Sequence, residues 1–222
     1  NLLEKVELNV NATAYRKGID LLKNTKPHLN QNELLKIDLK DFFHSITLKR
    51  VIATFRSMGY LPKISYELAS LCCVNGRLPQ GGATSPLLSN IIAKRMDKRL
   101  EGLALKNKLN YTRYSDDITF SGEKISINII YAIRSIIEEE GFNINSEKTR
   151  HYKTKGRRVI TGISVSSNVP KLPKHTKREI RQAVYELLKQ PNNNHIGSGN
   201  KDVFFLESLR GKLSFWQYVE PD

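Results

Sequence analysis

The sequence predicts a fold of mixed helices and strands, on the basis of two patterns that alternate along the chain. Segments of ten or more residues place apolar side chains three and four positions apart, which is typical of amphipathic helices. Between them lie short runs rich in Tyr, Thr, Ile and Phe, which favour the half-buried surface of a sheet. With 222 residues the chain is long enough for one well-packed domain, or for a core with a small appendage.

Each element is predicted from local signals. Residues 33–39 form an apolar strand that ends in charge, and strands at 110–114 and 118–122 flank a turn to make a hairpin. Short strands are predicted within 142–165, and the polar run 191–200 is predicted to be a loop. Several helices are delimited by proline at the start or glycine at the end. Helices are predicted over residues 11–24, 47–59, 62–74, 86–105, 129–141, 174–190 and 204–219.

Positive charge dominates the composition and is concentrated in one part of the chain. There are 36 Lys and Arg against 22 Asp and Glu, which gives a formal net charge of +14. Residues 147–189 contain twelve of the basic residues and three of the acidic ones. Such a run is often only a solvated face, but its concentration favours a surface that binds the phosphate backbone of a nucleic acid.

The same composition argues against a membrane protein and against a disulfide-stabilised secreted domain. No apolar run approaches the roughly 20 residues that span a bilayer, and no signal-peptide pattern opens the chain. The neighbours Cys72 and Cys73 lack the spacing of a zinc site or a disulfide framework, so free thiols in the cytoplasm are expected. Because the chain begins at Asn1 rather than at methionine, we expect upstream sequence to be missing.

Three aspartates form a candidate cation site. Asp116 and Asp117 lie at the hairpin turn in RYSDDITFS, although aspartate is common in turns for its bonds to nearby amides. Asp38 ends the apolar strand in LLKIDLKDFF, where it or Asp41 could instead cap the following turn. Carboxylates held together repel unless a cation is present. The glycine-bearing loop in RLPQGGATSPLLSN, residues 77–90, offers amides to a flat or phosphorylated ligand.

Taken together, these stretches resemble the palm of a reverse transcriptase. IDLKDFF is similar to the first aspartate motif of that family, LPQGGATSPLLSN to its fingers-to-palm motif and YSDD to its second aspartate motif, in the family's order and spacing. GFNINSEKTR resembles the lysine-bearing motif that follows. The resemblance implies an α+β polymerase palm, an antiparallel sheet backed by helices, with partial fingers over residues 1–170. A helical thumb is implied over residues 171–222.

Within this family the sequence is similar to bacterial retron reverse transcriptases. KNTKPH at 23–28 resembles their Asn-Ala-x-x-His signature, with Thr25 where alanine is usual. VITG at 159–162 resembles their Val-Thr-Gly signature, with Ile160 in place of valine. The implied function is RNA-directed DNA synthesis in the cytoplasm. The implied partners are a structured non-coding RNA that serves as template and primer, deoxynucleotides, the DNA product and, in some systems, an effector protein.

The resemblance assigns a metal site and a general acid. Asp38, Asp116 and Asp117, with the carbonyl of Leu39, would hold two Mg²⁺ ions that Mn²⁺ could replace. These hard oxygen ligands suit magnesium, and two metals serve phosphoryl transfer. Lys148 would protonate the leaving pyrophosphate, although a solvated lysine is the simpler interpretation.

Nucleotide and RNA contacts are also implied by the resemblance. Asp41 and Phe42 would hold the triphosphate through their backbone amides, and Gln80 and Gly81 would line the nucleotide pocket. Phe43 would exclude a ribose 2′-hydroxyl, unless it is an ordinary core aromatic. The residues expected to contact RNA or primer are Asn24, His28, Thr161, Gly162, Lys177, Arg178 and Arg181. For His28 the alternative is a surface histidine whose hydrogen bonds are satisfied without RNA.

Other functions remain open at this point. The chain could come from another bacterial reverse transcriptase, of the group II intron or phage-defence type, whereas Phe43 disfavours an RNA-dependent RNA polymerase. A catalytically inactive RNA-binding protein that keeps the palm is a different class of function. The family places the basic residues that grip the triphosphate in an upstream fingers segment, so this chain alone is expected to be weakly active or inactive.

Overall fold

A computed structural model describes residues 3, 6–189 and 204–221, and it confirms the α+β class. The central sheet has four antiparallel strands in the order β2-β3-β1-β4. Its strands are β1 (Glu33–Lys40), β2 (Asn110–Tyr114), β3 (Asp117–Gly122) and β4 (Asn143–Tyr152), and a separate hairpin consists of β5 (Val159–Ile160) and β6 (Ile163–Ser164).

Most helices begin and end where local signals predicted. Pro86 lies in the first turn of α4, and Ser126 caps α5 by accepting a hydrogen bond from the amide of Ile129. None of the described helices is long and apolar enough to cross a bilayer. The helices are α1 (Leu21–Thr25), α2 (Leu48–Ser57), α3 (Pro62–Cys72), α4 (Ser85–Lys106), α5 (Ile127–Glu139), α6 (Lys174–Lys189) and α7 (Phe205–Val219).

The helix predicted over residues 11–24 is largely wrong. Only its last residues form α1, which Asp20 caps. Ala12 instead lies beside β2 and forms a parallel bridge with Arg113. Tyr15 and Gly18 have φ angles of +59° and +74°, which no right-handed helix tolerates. Backbone pairing with a distant strand has therefore overridden the local helical pattern.

The hydrophobic core lies between the sheet and the helices. Its fully buried side chains come from alternate positions of β1 and β3 and from one face each of α2, α3, α4 and α5. On α4 the buried face carries Leu88, Ala93, Met96 and Leu100. The core therefore fixes α4 against the strands that carry the candidate site.

Two compact units make up the chain, residues 1–155 and 156–222. The division comes earlier in the chain than the boundary expected near Pro170, because the β5–β6 hairpin and its neighbouring segment pair with each other. Ser164 donates its amide to the carbonyl of Lys171 at 2.7 Å. The assignment of palm and thumb roles stays a prediction, and the loop predicted at 191–200 lies outside the described residues.

Candidate active site

The aspartate pair lies at a tight hairpin turn between β2 and β3, as the sequence predicted. Tyr114 pairs with Asp117, so Ser115 and Asp116 form a two-residue hairpin turn. Ser115 has a φ angle of +60°, which hairpin turns of this length require at one or both positions. The turn holds both carboxylates at one end of the sheet.

Asp38 lies directly beside this turn. It pairs with Asp117 across β1 and β3, and the amide of Leu39 donates to the carbonyl of Asp116 at 3.0 Å. Residues directly opposite on antiparallel strands share a face, with Cβ atoms about 4.5–5.5 Å apart. The structure therefore brings Asp38 next to Asp116 and Asp117, which follow it by about 80 residues in the sequence.

The electrostatics of the site favour a cation. Burial raises the pKa of Asp117 above its usual value, and the neighbouring charges of Asp116 and Asp38 raise this pKa further. Lys36 and Lys148 act in the opposite direction without cancelling the effect. A bound cation would relieve the repulsion that produces this shift.

Lys148 reaches the site through an irregularity in β4. Lys36 pairs with Arg150 whereas Asp38 pairs with Asn145, so β4 contains extra residues opposite Ile37. Lys148 lies in this bulge, where its Nζ is 3.6 Å from Asp38 Oδ1 while its side chain is 67% exposed. Its predicted role as general acid stays a prediction.

The donor set fits a divalent cation by its chemistry. Carboxylate and carbonyl oxygens are the ligands that Mg²⁺ prefers. Within the part of the chain that the structure describes, no three acidic, His or Cys side chains converge as a metal-binding cluster. The aspartate side chains would have to turn towards a common ion to bind it. Leu39 itself is buried in the core, so only its backbone could take part.

A buried ion pair beneath the turn was missed by the sequence interpretation. Arg113 donates to Asp97 through Nε and Nη2, both at 2.7 Å, and through Nη1 to the carbonyl of Ser115 at 2.9 Å. Tyr111 donates to the same carboxylate at 2.7 Å. Burial lowers the pKa of Arg113, but the charge and hydrogen bonds of Asp97 together with the contribution of Tyr111 outweigh it, so this pKa lies above its usual value. The signal available in the sequence was Asp97, which lies among the apolar positions on the buried face of α4 and therefore needs a buried partner.

The structure corrects the RNA contacts expected from Asn24 and His28. Both side chains are buried, so neither can reach RNA in this conformation, and His28 is not a surface histidine either. Thr112 donates its hydroxyl to the carbonyl of Asn24 and its oxygen lies 2.9 Å from His28 Nε2. Ser121 Oγ lies 2.6 Å from His28 Nδ1. Asn24 and His28 thus support the β2–β3 hairpin.

Aromatic side chains line the segment that follows β1. Asp41 has a φ angle of +50°, and Phe42 is buried against Phe142 with ring centroids 5.4 Å apart. Phe43 is half-buried and packs edge-on against Phe42 at 5.4 Å. Its ring also lies 6.4 Å from that of Tyr15. Phe43 is therefore a half-buried ring packed against the margin of the core, and its contact with the sugar stays a prediction.

The glycine-bearing loop begins beside this segment. Leu78 donates its amide to the carbonyl of Ile46 at 3.0 Å. Gln80 is exposed, and Gly81 has a φ angle of +85° that a side chain would disfavour. At Gly82 a Cβ atom would lie 2.7 Å from the hydroxyl of Ser85, so the loop needs glycine there. An open cleft of about 850 Å³ lies nearby and is lined by Lys40, Asp41, His44, Ser45, Arg77 and Asn143.

The second unit holds the remaining predicted residues. Thr161 and Gly162 form the turn of the β5–β6 hairpin with φ angles of +44° and +82°. These angles are typical of a type I′ turn, which Thr adopts at a cost in free energy. Their role in RNA binding stays a prediction.

Lys177 is not part of an open basic stripe, which corrects that expectation. Its Nζ donates to Glu220 at 2.5 Å and lies 5.4 Å from the centroid of the Trp216 ring. Arg178 and Arg181 are exposed, and the guanidinium of Arg181 lies 5.1 Å from the same ring. Only these two arginines of the predicted trio are available to phosphates.

Known proteins with similar sequences include reverse transcriptases of retrons. The family model for "Reverse transcriptase (RNA-dependent DNA polymerase)" matches residues 2–182. The Retron Ec86 reverse transcriptase of Escherichia coli is 35% identical, over 97% of this chain and 64% of that protein. The Retron Mx65 reverse transcriptase of Myxococcus xanthus is 33% identical, over 100% of this chain and 54% of that protein. The chain thus spans less than two thirds of either relative.

Solved structures with a similar fold include a foamy viral protease-reverse transcriptase in complex with double-stranded DNA. It has a TM-score of 0.57 and 20% identity, over 95% of this chain and 31% of that one. Telomerase from Candida albicans has a TM-score of 0.51 and 14% identity, over 85% of this chain and 39% of that one. At these identities the likeness concerns the fold alone. The chain belongs to the reverse transcriptase family, and the relatives named here are of the retron type.

Proposed function

We propose that the protein containing this chain is the RNA-directed DNA polymerase of a retron, which extends a primer hydroxyl on a structured RNA template. The observation that carries this proposal is the position of Asp38, Asp116 and Asp117 at one end of the central sheet, with Lys148 beside them. The similarity of the chain to retron reverse transcriptases supports a structured RNA template as the substrate.

The proposed mechanism relies on positioning and charge. When bound, two Mg²⁺ or Mn²⁺ ions would activate the primer hydroxyl and neutralise the leaving pyrophosphate. Asp38, Asp116 and Asp117 would hold the ions at this end of the sheet, and the β2–β3 hairpin would keep the carboxylates in place. Lys148, whose Nζ lies 3.6 Å from Asp38 Oδ1, would donate a proton to the leaving pyrophosphate.

The nucleotide would lie beside these aspartates. Asp41 and Phe42 directly follow β1, so their amides would face the triphosphate. Gln80 and Gly81 would contact the base pair, because their loop begins next to the same segment. Phe43 would press on the sugar and exclude a 2′-hydroxyl.

Replacement of Asp116 by asparagine tests the proposal. In the full-length enzyme, Asp116→Asn should reduce primer extension on an RNA template by at least about a hundredfold, because an amide cannot replace a charged metal ligand. Folding should be nearly unaffected, which thermal melting checks. Glu123→Gln, an exposed acid just after β3, is the matched control and should retain activity. Retention of activity by Asp116→Asn would contradict the two-metal assignment, and RNA binding without extension by the wild-type protein would indicate an inactive palm.

A further inference from the structure

Tyr15 adopts a backbone conformation that is unusual for an aromatic residue. Its φ angle is +59°, in the left-handed region that L-residues populate at a cost in free energy. Such residues persist where the surrounding structure holds them, and they are concentrated at functional sites. The carbonyl of Ala14 accepts a hydrogen bond from Asn90 Nδ2 at 2.8 Å, and the carbonyl of Arg16 accepts one from the amide of Ile19 at 3.2 Å. The backbone is thus held on both sides of Tyr15.

The side chain of Tyr15 contacts two parts of the candidate site. Its hydroxyl donates to Ser115 Oγ at 3.1 Å, in the turn that carries Asp116. Its ring centroid lies 6.4 Å from that of Phe43 and 6.5 Å from that of Tyr114. The side chain nevertheless remains accessible, because Tyr15 is 46% exposed.

We propose that Tyr15 is a positioning residue that sets the ring of Phe43 relative to the Ser115–Asp116 turn and thereby sets the enzyme's discrimination against ribonucleotides. This inference rests on the proposed function. Phe43 is supported by Phe42 on one side, at 5.4 Å, and by Tyr15 on another, at 6.4 Å. A half-buried ring with support from two directions has few rotamers available. Loss of the Tyr15 ring would let Phe43 move away from the sugar.

The two parts of the Tyr15 side chain have separable roles. The ring supports Phe43 and therefore acts on sugar selectivity. The hydroxyl holds Ser115 and therefore acts on the turn that presents Asp116. A residue with a merely structural role would lower the use of both kinds of nucleotide equally, and would leave their ratio unchanged.

Sugar selectivity tests the role of the ring. In the full-length enzyme, Tyr15→Ala should lower the ratio of kcat/KM for deoxynucleotides to kcat/KM for ribonucleotides by about tenfold, a typical effect of a small steric change in a pocket. Tyr15→Phe should keep the ratio within about twofold, because it keeps the ring. Phe43→Ala gives the ratio expected when the exclusion is lost. Tyr131→Ala, which removes an exposed tyrosine on α5, is the control and should match the wild type.

An unchanged ratio in a folded Tyr15→Ala enzyme would overturn the inference. If thermal melting shows that Tyr15→Ala does not fold, Tyr15→Leu keeps apolar bulk without an aromatic ring, and the same ratio decides. An enzyme that extends primers with an unchanged ratio contradicts only this inference. A full-length wild-type enzyme that extends no primer contradicts the proposed function, and this inference with it.

A double-mutant cycle tests the role of the hydroxyl. Tyr15→Phe and Ser115→Ala each remove one partner of the same hydrogen bond, so the double variant should lose little more kcat than either single variant. Losses that multiply would show that the two groups act independently and would overturn the link between Tyr15 and the turn.

Discussion

Burial has opposite consequences for two titratable residues of the hairpin region. Asp117 is held next to other carboxylates, and burial with their charges raises its pKa. His28 is enclosed by hydroxyl groups that a neutral ring satisfies, and burial lowers its pKa from 6.5 to about 3. The charged form of Asp117 is therefore destabilising in the folded protein, and His28 is stable there only as the neutral ring.

Asp117→Asn should stabilise the protein when no divalent cation is bound. A carboxyl group whose pKa is raised by folding stabilises less as the pH rises from its unfolded pKa through the raised value, so at neutral pH the charge of Asp117 is unfavourable. We expect the melting temperature in EDTA to rise by about 1–4 °C, and the stabilisation that Mg²⁺ gives the wild type to be lost. Calorimetry with and without Mg²⁺ measures both. A lower melting temperature in EDTA would contradict the prediction.

Protonation of His28 should destabilise the fold as the pH falls. Because the folded pKa lies below the unfolded one, the stability is present above about pH 6.5 and is lost between about pH 6.5 and 3. The expected loss between pH 8 and pH 5 is up to about 2 kcal/mol. Urea unfolding across this range measures it, with His28→Gln as the comparison. If both proteins show the same slope with pH, the lost stability comes from other groups.

At the scale of elements, the site depends on how α4 and the β2–β3 hairpin meet. Asp97 on α4 and Arg113 on β2 are fully buried and form a two-bond pair. Arg113 also donates to the carbonyl of Ser115, so the ion pair connects α4 to the turn that carries Asp116. On the other side of the hairpin, His28 bonds Thr112 and Ser121, one residue from each strand.

Removal of Asp97 should destabilise both the fold and the turn. Asp97→Ala leaves the buried charge of Arg113 without a partner, and such a loss costs about 3–5 kcal/mol. Chemical denaturation measures the loss. Glu139→Gln removes the carboxylate of an exposed ion pair with Arg99 and is the matched control, with little effect expected. Equal effects of the two changes would mean that the buried pair has no special structural role.

For the whole molecule, the distribution of charge matters more than its total. The net charge is +14, but the structure uses part of it internally, since Lys177 pairs with Glu220 and Arg113 with Asp97. Phosphate binding needs charges that remain accessible. On α6 this leaves the exposed Arg178 as the clearest candidate, with Arg181 beside Trp216.

Arg178 and Arg181 should control the salt dependence of RNA binding. In the full-length protein, replacing both by glutamine should weaken binding to a structured RNA and lower the salt slope by up to about one per lost phosphate contact. Extension of an annealed primer at saturating template should suffer less, because the aspartates are unchanged. Lys177→Gln is the comparison and should change stability rather than the slope. An unchanged slope in the double variant would show that this face of α6 does not meet RNA.

The sequence alone predicted the structural features that depend on residues close together along the chain. The mixture of helices and strands, the hairpin at Asp116, the strand at 33–39 that carries Asp38 near its end and most helix boundaries were confirmed, because periodicity, caps and tight turns are encoded within a few positions. Helix 11–24 was the exception, since backbone pairing with Arg113 competes with local propensity there.

Only the tertiary structure decided which polar residues are accessible and what they contact. Three such contacts join residues that are distant in the sequence. They are those of buried His28 with Ser121, of Lys177 with Glu220 and of Tyr15 with Ser115. The bulge that brings Lys148 to Asp38 likewise depends on the register of two strands. Side-chain burial and pairing are set by packing across the whole unit, so no local pattern in the sequence specifies them.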